Sequence, residues 1–308
     1  MNSITEFYQD VNFEITTGTG EILQDYSSTG KERPWTLHKK ENLRLVELYK
    51  RAKEKDINLI SDSRLHDLEH CGDTLTFLQN VEGKKKLKTA NFCRIRLCPM
   101  CQWRRSLKMF SQVKKITDKI LENDKSTRFI FGTFTIKNTD AENLEACINI
   151  LNKKFKYLVD QKKTFAPAKK LKQNLLGYLK AVEVTYNSKD KTYHPHLHVI
   201  FAVKSTFFKN SSNYMTKKEW IELWQKALNV DYKPQTDIRV IKTNTGKAVA
   251  EVAKYPVKTA PILSLPDDEA VEVLKTLTFC LHKKRFVSYG GIFKTVKQEL
   301  KLADIETD

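Results

Sequence analysis

Histidines occupy every second position at the start of an apolar run, in the stretch Tyr193-His194-Pro195-His196-Leu197-His198 that continues to Val203. This alternation is typical of a β-strand, because successive side chains of a strand point to opposite faces of a sheet. His196 and His198 would therefore share one face and can bind one metal ion, and His194 would project towards the same side. Pro195 has no amide hydrogen for the ladder, so we expect the regular strand to begin at His196.

The order of the predicted elements around this strand limits the fold. Apolar and β-branched residues predict strands at 129–137, 177–187, 196–203 and 236–242, and helical spacing predicts helices at 37–60, 141–159, 216–228, from about 247, and at 267–284. The order strand, helix, strand, strand, helix, strand indicates an α+β fold, with an antiparallel sheet and helices packed on one side of it. We expect a basic loop around Pro167 and a turn at Gly290-Gly291 in the tail.

A carboxylate lies in the strand predicted next to the histidines. Glu183 is flanked by apolar residues, and a carboxylate is costly to bury unless it has a cation nearby. His196, His198 and Glu183 would leave coordination positions open, and a mixed nitrogen and oxygen shell suits Mn²⁺ or Mg²⁺ in phosphate chemistry. The alternative is that Glu183 pairs with one of the many lysines.

Cysteines form a second candidate metal site. The ligands that we predict are Cys71, Cys93, Cys98 and Cys101. Four thiolates suit tetrahedral Zn²⁺ and leave no position open for a reaction, so this zinc would be structural. Cys71 is the preferred fourth ligand because it precedes a turn glycine, with His66 or His70 as the alternative. The alternative to a zinc site is that the four cysteines are unrelated buried thiols.

The charge of the chain favours a polyanionic partner. The 54 lysines and arginines exceed the 37 aspartates and glutamates and give a formal net charge of +17, which suits nucleic acid. Arg104, Arg105 and Lys108 follow the last clustered cysteine and are predicted to bind DNA phosphates, unless they form a solvent-exposed helix face. No apolar run is long enough to span a bilayer and the first residues do not resemble a secretory signal, so we expect a cytoplasmic bacterial protein.

A tyrosine near the end of the chain has unusual neighbours. Glu251 and Tyr255 are four residues apart, which places them on one face of the helix predicted from about 247. Lys254 and Lys258 flank the tyrosine, and Pro256 ends or kinks the helix there. An acid and two lysines distinguish Tyr255 from the other tyrosines, any of which is more simply a core residue.

Four segments in this order resemble those of rolling-circle plasmid replication initiators of the pC194/pUB110-like group, in the HUH endonuclease superfamily. They are NFCRIRLCPMCQWRRSLK, FIFGTFTIK, HPHLHVIF and EVAKYPVK, and the resemblance covers roughly residues 65–300. It implies an antiparallel-sheet endonuclease core in which His196 and His198 bind the catalytic metal. It also implies that Tyr255 is the nucleophile that forms a 5′-phosphotyrosine, and that Glu251 activates water in termination.

The resemblance also implies the partners and the organisation of the chain. Plasmid origin DNA would be bound as duplex and as a single strand at the nick site, with a host helicase and DNA polymerase as further partners and a homodimer as a candidate assembly. We divide the chain into a tail and basic helix (1–60), a zinc-binding and DNA-contacting segment (61–115), the endonuclease core (120–262) and a C-terminal helical segment (263–308). The alternatives are a conjugative relaxase or transposase of the same superfamily, and a zinc-containing DNA-binding regulator without catalytic activity.

Overall fold

The computed structural model describes residues 25–27, 30–83, 85–159, 165–241, 249 and 257–304. The helices are α1 (Trp35–Lys55), α2 (Asp62–Glu69), α3 (Pro99–Asn123), α4 (Leu144–Val159), α5 (Ala166–Asn174), α6 (Lys217–Leu228), α7 (Thr259–Leu263), α8 (Asp267–Cys280) and α9 (Ile292–Glu299), with a 3-10 turn at Ser205–Phe208. The strands are β1 (Leu75–Gln79), β2 (Lys85–Ala90), β3 (Arg128–Thr135), β4 (Leu175–Asn187), β5 (Thr192–Val203), β6 (Thr236–Ile241) and β7 (Val287–Gly291). Among the helices in these ranges, none has an apolar stretch long enough to cross a membrane.

The chain divides into two compact units, Met1–Gln102 and Trp103–Asp308. In the first unit, α1 and α2 pack together beside an antiparallel ribbon of β1 and β2. Trp35 of α1 meets Phe77 of β1 edge to face, with ring centroids 6.2 Å apart. The helix expected at 37–60 is confirmed as far as Lys55, whereas the ribbon is a feature that the sequence did not predict.

The second unit is built on a five-stranded antiparallel sheet with the strand order β6-β3-β5-β4-β7. This confirms the antiparallel α+β arrangement and the predicted order of strands and helices from β3 to β6. The histidine strand β5 lies at the centre, between β3 and β4. Side chains on β5 therefore have neighbours on both sides, which is the position best suited to fix their orientation.

Helices pack on both faces of this sheet, so the expectation that they lie on one side was wrong. On one face, α3 and α9 bury an aliphatic and aromatic core with Phe131 of β3 and Ile200 of β5. On the other face, Phe201 of β5 packs against Phe155 of α4 and Trp220 of α6. The strands are apolar on both faces, and a second layer of helices keeps the second face from water.

The strand β5 begins at Thr192, so the prediction that regular pairing starts at His196 was also wrong. Pro195 is paired with Val184 in the β4–β5 ladder. Backbone groups of alternate residues point to alternate sides, and those of Tyr193 bond to Thr139 on the side away from β4. The nitrogen of Pro195 points to that same side, beyond the last β3 pairing at His196, where no amide hydrogen is needed.

Two other local predictions were wrong because proline and glycine, which are common in loops and turns, also occur in helices and edge strands. The expected loop around Pro167 is the helix α5, where the proline occupies the first turn and its missing amide hydrogen has no cost. The expected turn at Gly290-Gly291 is part of the edge strand β7. A Cβ on Gly177 of β4 would lie 2.5 Å from the carbonyl oxygen of Gly290, so the two backbones approach closely.

Candidate metal centres

The three residues Glu183, His196 and His198 meet on the sheet face that also packs against α3 and α9. Glu183 is the direct cross-strand partner of His196, and His198 lies one strand repeat further along β5. Glu183 Oε2 lies 2.8 Å from Nε2 of His198 and 3.4 Å from Nε2 of His196. All three side chains are buried, and one potential ligand atom from each lies within 4.8 Å of the others. The arrangement is therefore able to hold a metal ion.

His196 and His198 change the pKa of the Glu183 carboxyl group. Burial raises the pKa of its carboxyl group, but hydrogen bonds and the charges of His196 and His198 lower it by more, so the net pKa lies well below the ordinary value. Among the described residues, Lys258 also approaches this carboxylate, with Nζ 3.8 Å from Oε1 and a half-exposed side chain. A 3.8 Å pair with a half-exposed lysine contributes little, so pairing with Lys258 does not by itself explain the burial of this carboxylate.

Further contacts orient the two imidazole rings. Nδ1 of His198 lies 3.2 Å from Oγ1 of Thr133, its partner across the β3–β5 pairing. Nδ1 of His196 lies 3.1 Å from the backbone oxygen of His194. A hydrogen on each Nδ1 satisfies these contacts and leaves the Nε2 lone pairs as ligands, as in many metal sites. Phe131 also stacks on His198, with ring centroids 5.5 Å apart.

The sequence did not single out Thr133 or Phe131. A hydroxyl or a phenyl group in a strand is common, and only the register of β3 against β5 places these two beside His198. His194 projects to the same side as His196 but bonds Asn138, Nδ1 to Oδ1, at 2.7 Å. Burial and the charge of His196 lower the pKa of His194, so it is a neutral neighbour of the group.

The four predicted cysteines also come together, in the first unit. Cys71, Cys93, Cys98 and Cys101 are all buried. The sulfurs of Cys71–Cys98, Cys71–Cys101 and Cys93–Cys101 are separated by 3.6, 3.7 and 3.7 Å. Four sulfurs placed tetrahedrally at about 2.3 Å from a zinc ion would be roughly 3.8 Å apart, close to these separations.

Backbone amides point at the sulfurs, as they do around metal-bound thiolates. The amides of Cys93, Arg94 and Ile95 donate to sulfurs at 3.4, 3.3 and 3.4 Å. Arg94 has the left-handed φ of 60°, which turns the chain tightly after Cys93. Cys71, rather than a histidine, completes the group, while Nδ1 of His70 is engaged with Asp73 at 2.9 Å.

The predicted DNA-contacting residues lie in the helix α3. Lys108 is exposed and Arg104 is half-buried, with its guanidinium 5.3 Å from the centroid of the Trp103 ring. Arg105 is buried, which disfavours a phosphate contact from its side chain in this conformation. The predicted residues Glu251, Lys254 and Tyr255 lie outside the described residues, as does most of the helix expected from about 247.

Comparisons with known proteins identify the family. A family model described as "Replication protein" matches residues 84–308, which is most of the chain. The chain belongs to this replication protein (Rep) family. A curated "Protein rep" from Lactiplantibacillus plantarum is 40% identical over 294 residues, covering 93% of this chain and 88% of the relative.

Other curated relatives agree with this assignment. A "Protein rep" from Streptococcus pneumoniae is 38% identical over 291 residues, covering 93% of this chain and 85% of the relative. A "Replication protein" from Staphylococcus aureus is 34% identical over 202 residues, covering 63% of this chain and 83% of the relative. No solved structure matches the chain. The resemblance to rolling-circle plasmid Rep proteins is confirmed, and the family role is the initiation of plasmid replication.

Proposed function

We propose that this Rep protein is a metal-dependent endonuclease that nicks one strand of its plasmid origin and remains joined to the DNA through Tyr255. The observation that carries the proposal is the convergence of Glu183, His196 and His198 on the central strands of an antiparallel sheet. Their imidazole and carboxylate donors suit Mn²⁺ or Mg²⁺. The sheet arrangement is also what we expect of an HUH endonuclease core within residues 120–262.

In the proposed reaction, separate residues bind the metal ion, attack the phosphate and stabilise the phenolate. Glu183, His196 and His198 would hold the ion, which when bound supplies Lewis-acid polarisation of the scissile phosphate. The phenol oxygen of Tyr255 attacks phosphorus, its proton leaves to solvent, and the bond from phosphorus to the 3′ oxygen breaks. The 3′ oxygen takes up a proton from solvent, so the products are a 5′-phosphotyrosine and a 3′-hydroxyl that a polymerase can extend. Lys254 and Lys258 would stabilise the phenolate, and Lys258 is already beside Glu183.

The test of this activity uses the wild-type protein and a labelled single strand that carries the nick site. We expect a cut strand and a covalent protein–DNA band that survives denaturation, both only when Mn²⁺ or Mg²⁺ is added. A zinc-containing regulator without catalytic activity would bind the DNA and leave the strand intact. The curated Rep relatives and the family match favour an initiator over a relaxase or transposase.

The partners follow from this activity. The substrate would be plasmid origin DNA, with Arg104 and Lys108 as phosphate contacts, and a host helicase and DNA polymerase would act after the nick. A homodimer and a bacterial cytoplasmic location belong to the same proposal. The segment boundaries at 61–115 and 263–308 remain predictions.

Thr133 should tune the affinity of the catalytic metal. Thr133→Val keeps the side-chain shape but removes the oxygen that Nδ1 of His198 contacts. Contacts of this kind typically change metal affinity by about 10- to 100-fold, so we expect Mn²⁺ binding to weaken by about tenfold. Titration calorimetry with Mn²⁺ measures this, and Thr133→Ser should restore the affinity. Equal affinities in the Val variant and the wild type would show that Thr133 does not orient the ligand.

We further propose that the four cysteines bind one structural Zn²⁺. The sulfur separations and the amide donors support four thiolate ligands, since free thiols have no need of such contacts. Burial raises the pKa of the Cys98 thiol, so an ion is needed to hold it as a thiolate. This zinc would fix the first unit and would be independent of the catalytic ion.

Replacing one cysteine should remove the zinc and destabilise the first unit. Structural zinc contributes about 10–16 kcal/mol of apparent binding free energy, so Cys98→Ser should lose the ion and lower both the melting temperature and origin binding. Elemental analysis and thermal denaturation measure the two effects. Cys147→Ser is the matched control, because Cys147 lies in α4 outside the cluster. A native protein without zinc would contradict the assignment.

Glu251 should matter for termination rather than initiation. After the first cut Tyr255 is occupied by DNA, so the second cut needs water, and a carboxylate four residues earlier in the sequence is a candidate base to deprotonate it. Glu251→Ala should still nick and form the adduct, but should accumulate over-long single strands. The products of plasmid replication in cells, separated by size, report this. Monomer circles at wild-type yield would mean that Glu251 merely pairs with a lysine.

A further inference from the structure

The β1–β2 ribbon of the first unit carries a concentration of lysines. Its second strand begins Lys85-Lys86-Leu87-Lys88, and β2 pairs antiparallel with β1 through Gln79↔Lys85 and Leu78↔Lys86. Lys88 and Thr89 are exposed, and Val81 in the turn is 98% exposed. The ribbon therefore combines a strand that is rich in lysine with an exposed turn.

The ribbon is inserted between the candidate zinc ligands Cys71 and Cys93. Asn91, which follows β2, forms two hydrogen bonds with Thr74 at the base of the ribbon. The backbone amide of Asn91 donates to the backbone oxygen of Thr74 at 3.3 Å, and Oδ1 of Asn91 accepts from the amide of Thr74 at 2.9 Å. Its Nδ2 also donates to the oxygen of His70 at 2.7 Å. These hydrogen bonds close the base of the ribbon, which lies between Cys71 and Cys93 in the sequence.

One side of the ribbon is fixed by a core contact. Phe77 of β1 is buried and packs against Trp35 of α1, and its partner across the ladder is Leu87. A bulge between Thr76 and Phe77 interrupts the register near Lys88. An isolated two-stranded ribbon is only marginally stable in water, so these anchors and the clamped base are needed to hold its basic strand in a fixed position.

We propose that this ribbon, which lies between two of the clustered cysteines in the sequence, is a contact surface for duplex origin DNA. The width of a two-stranded ribbon fits the major groove, and lysines along it neutralise backbone phosphates. The inference rests on the proposed function, because it takes plasmid origin DNA as the partner. It assigns duplex recognition to the first unit, whereas cleavage of the single strand belongs to the histidine site of the second.

The test replaces Lys85, Lys86 and Lys88 together by glutamine, which keeps an unbranched polar side chain one atom shorter than lysine and removes three charges. Removing one lysine–phosphate ion pair lowers the salt slope of binding by about 0.9, so the slope of log affinity against log salt should fall by about 2 to 3. Affinity for an origin duplex should fall by about tenfold or more at moderate salt. Zinc content checks that the first unit is folded.

The control removes the same charge from another exposed surface, by Lys153→Gln, Lys156→Gln and Lys169→Gln in α4 and α5. We expect this triple variant to keep nearly the wild-type duplex affinity and salt slope. A ribbon variant that binds the duplex no more weakly than this control would overturn the proposal. If the ribbon variant loses zinc, Lys88→Gln alone decides the question, with an expected slope change of about 1.

Cleavage of a short single strand separates this proposal from the proposed nuclease activity. The ribbon variant should cut such a strand at the wild-type rate, because its catalytic residues are unchanged. A wild-type protein that does not cut at all would end the nuclease proposal and leave the duplex-binding result to be judged separately. A ribbon variant that binds the duplex normally would end the ribbon proposal and leave the nuclease proposal unaffected.

Discussion

His198→Ala is expected to abolish nicking while leaving the binding of duplex origin DNA largely intact. The side chain supplies one of three converging ligand atoms, and its loss leaves Glu183 and His196 as an incomplete site. Metal stabilisation of a phosphoryl transfer is worth several kcal/mol, so the cleavage rate should fall by about 10³-fold or more. The rate is measured on a labelled single strand with Mn²⁺, and duplex affinity is measured by a mobility shift.

His282→Ala is the matched control for this variant, because His282 is exposed just beyond α8 and lies outside the three-residue group. It should cut at the wild-type rate. Direct Mn²⁺ titration adds a readout that does not depend on activity, and His198→Ala should lose most of the binding. Undiminished cleavage with normal Mn²⁺ affinity in His198→Ala would place the catalytic ion elsewhere in the protein.

The parts of the metal site that sequence predicts are those set by local periodicity. A histidine at every second position fixes the face that His196 and His198 share, whatever the surrounding fold. Glu183 was predictable because apolar neighbours surround a carboxylate, a costly arrangement without a cation. The structure adds that Glu183 is the cross-strand partner of His196, a register that the sequence alone does not define.

The parts that sequence missed depend on contacts between distant segments. Thr133 becomes relevant only because β3 pairs with β5. The strand β7 is short and ends in two glycines, which resembles a turn until β4 is placed against it. Pro167 indicates either a loop or the first turn of a helix, and the apolar residues Ala168 and Leu171, which are buried in α5, decide for the helix.

In the first unit too, features set by local sequence were predicted and features that depend on strand pairing were not. Cys93, Cys98 and Cys101 lie within nine residues, and this close spacing predicted that they act together with Cys71. The β1–β2 ribbon was not predicted, because the lysines of β2 lower its strand propensity. The pairing of β2 with β1 also depends on the hydrogen bonds of Asn91 at the base of the ribbon, which the sequence does not reveal. The grouping of the cysteines was therefore predictable from the sequence, whereas the strand pairing that forms the ribbon was not.

Tyr255→Phe is expected to bind origin DNA normally and to form no covalent adduct. Phenylalanine keeps the ring and removes the only oxygen that can attack phosphorus at this position. The protein–DNA band that survives denaturation should disappear, and cleavage of the labelled strand should fall to background. The residue lies outside the described part of the chain, so this experiment tests the sequence prediction directly.

Two tyrosines on the central strands are the natural competitors, and their positions argue against them. Tyr186 lies three residues after Glu183 and Tyr193 three before His196, so strand alternation directs both to the opposite face of the sheet. Burial raises the pKa of both phenols, and the hydrogen bond that Tyr186 donates to Glu269 raises its pKa further. Tyr186→Phe should therefore still form the adduct. An adduct that persists in Tyr255→Phe and disappears in Tyr186→Phe would show that the wrong tyrosine has been assigned.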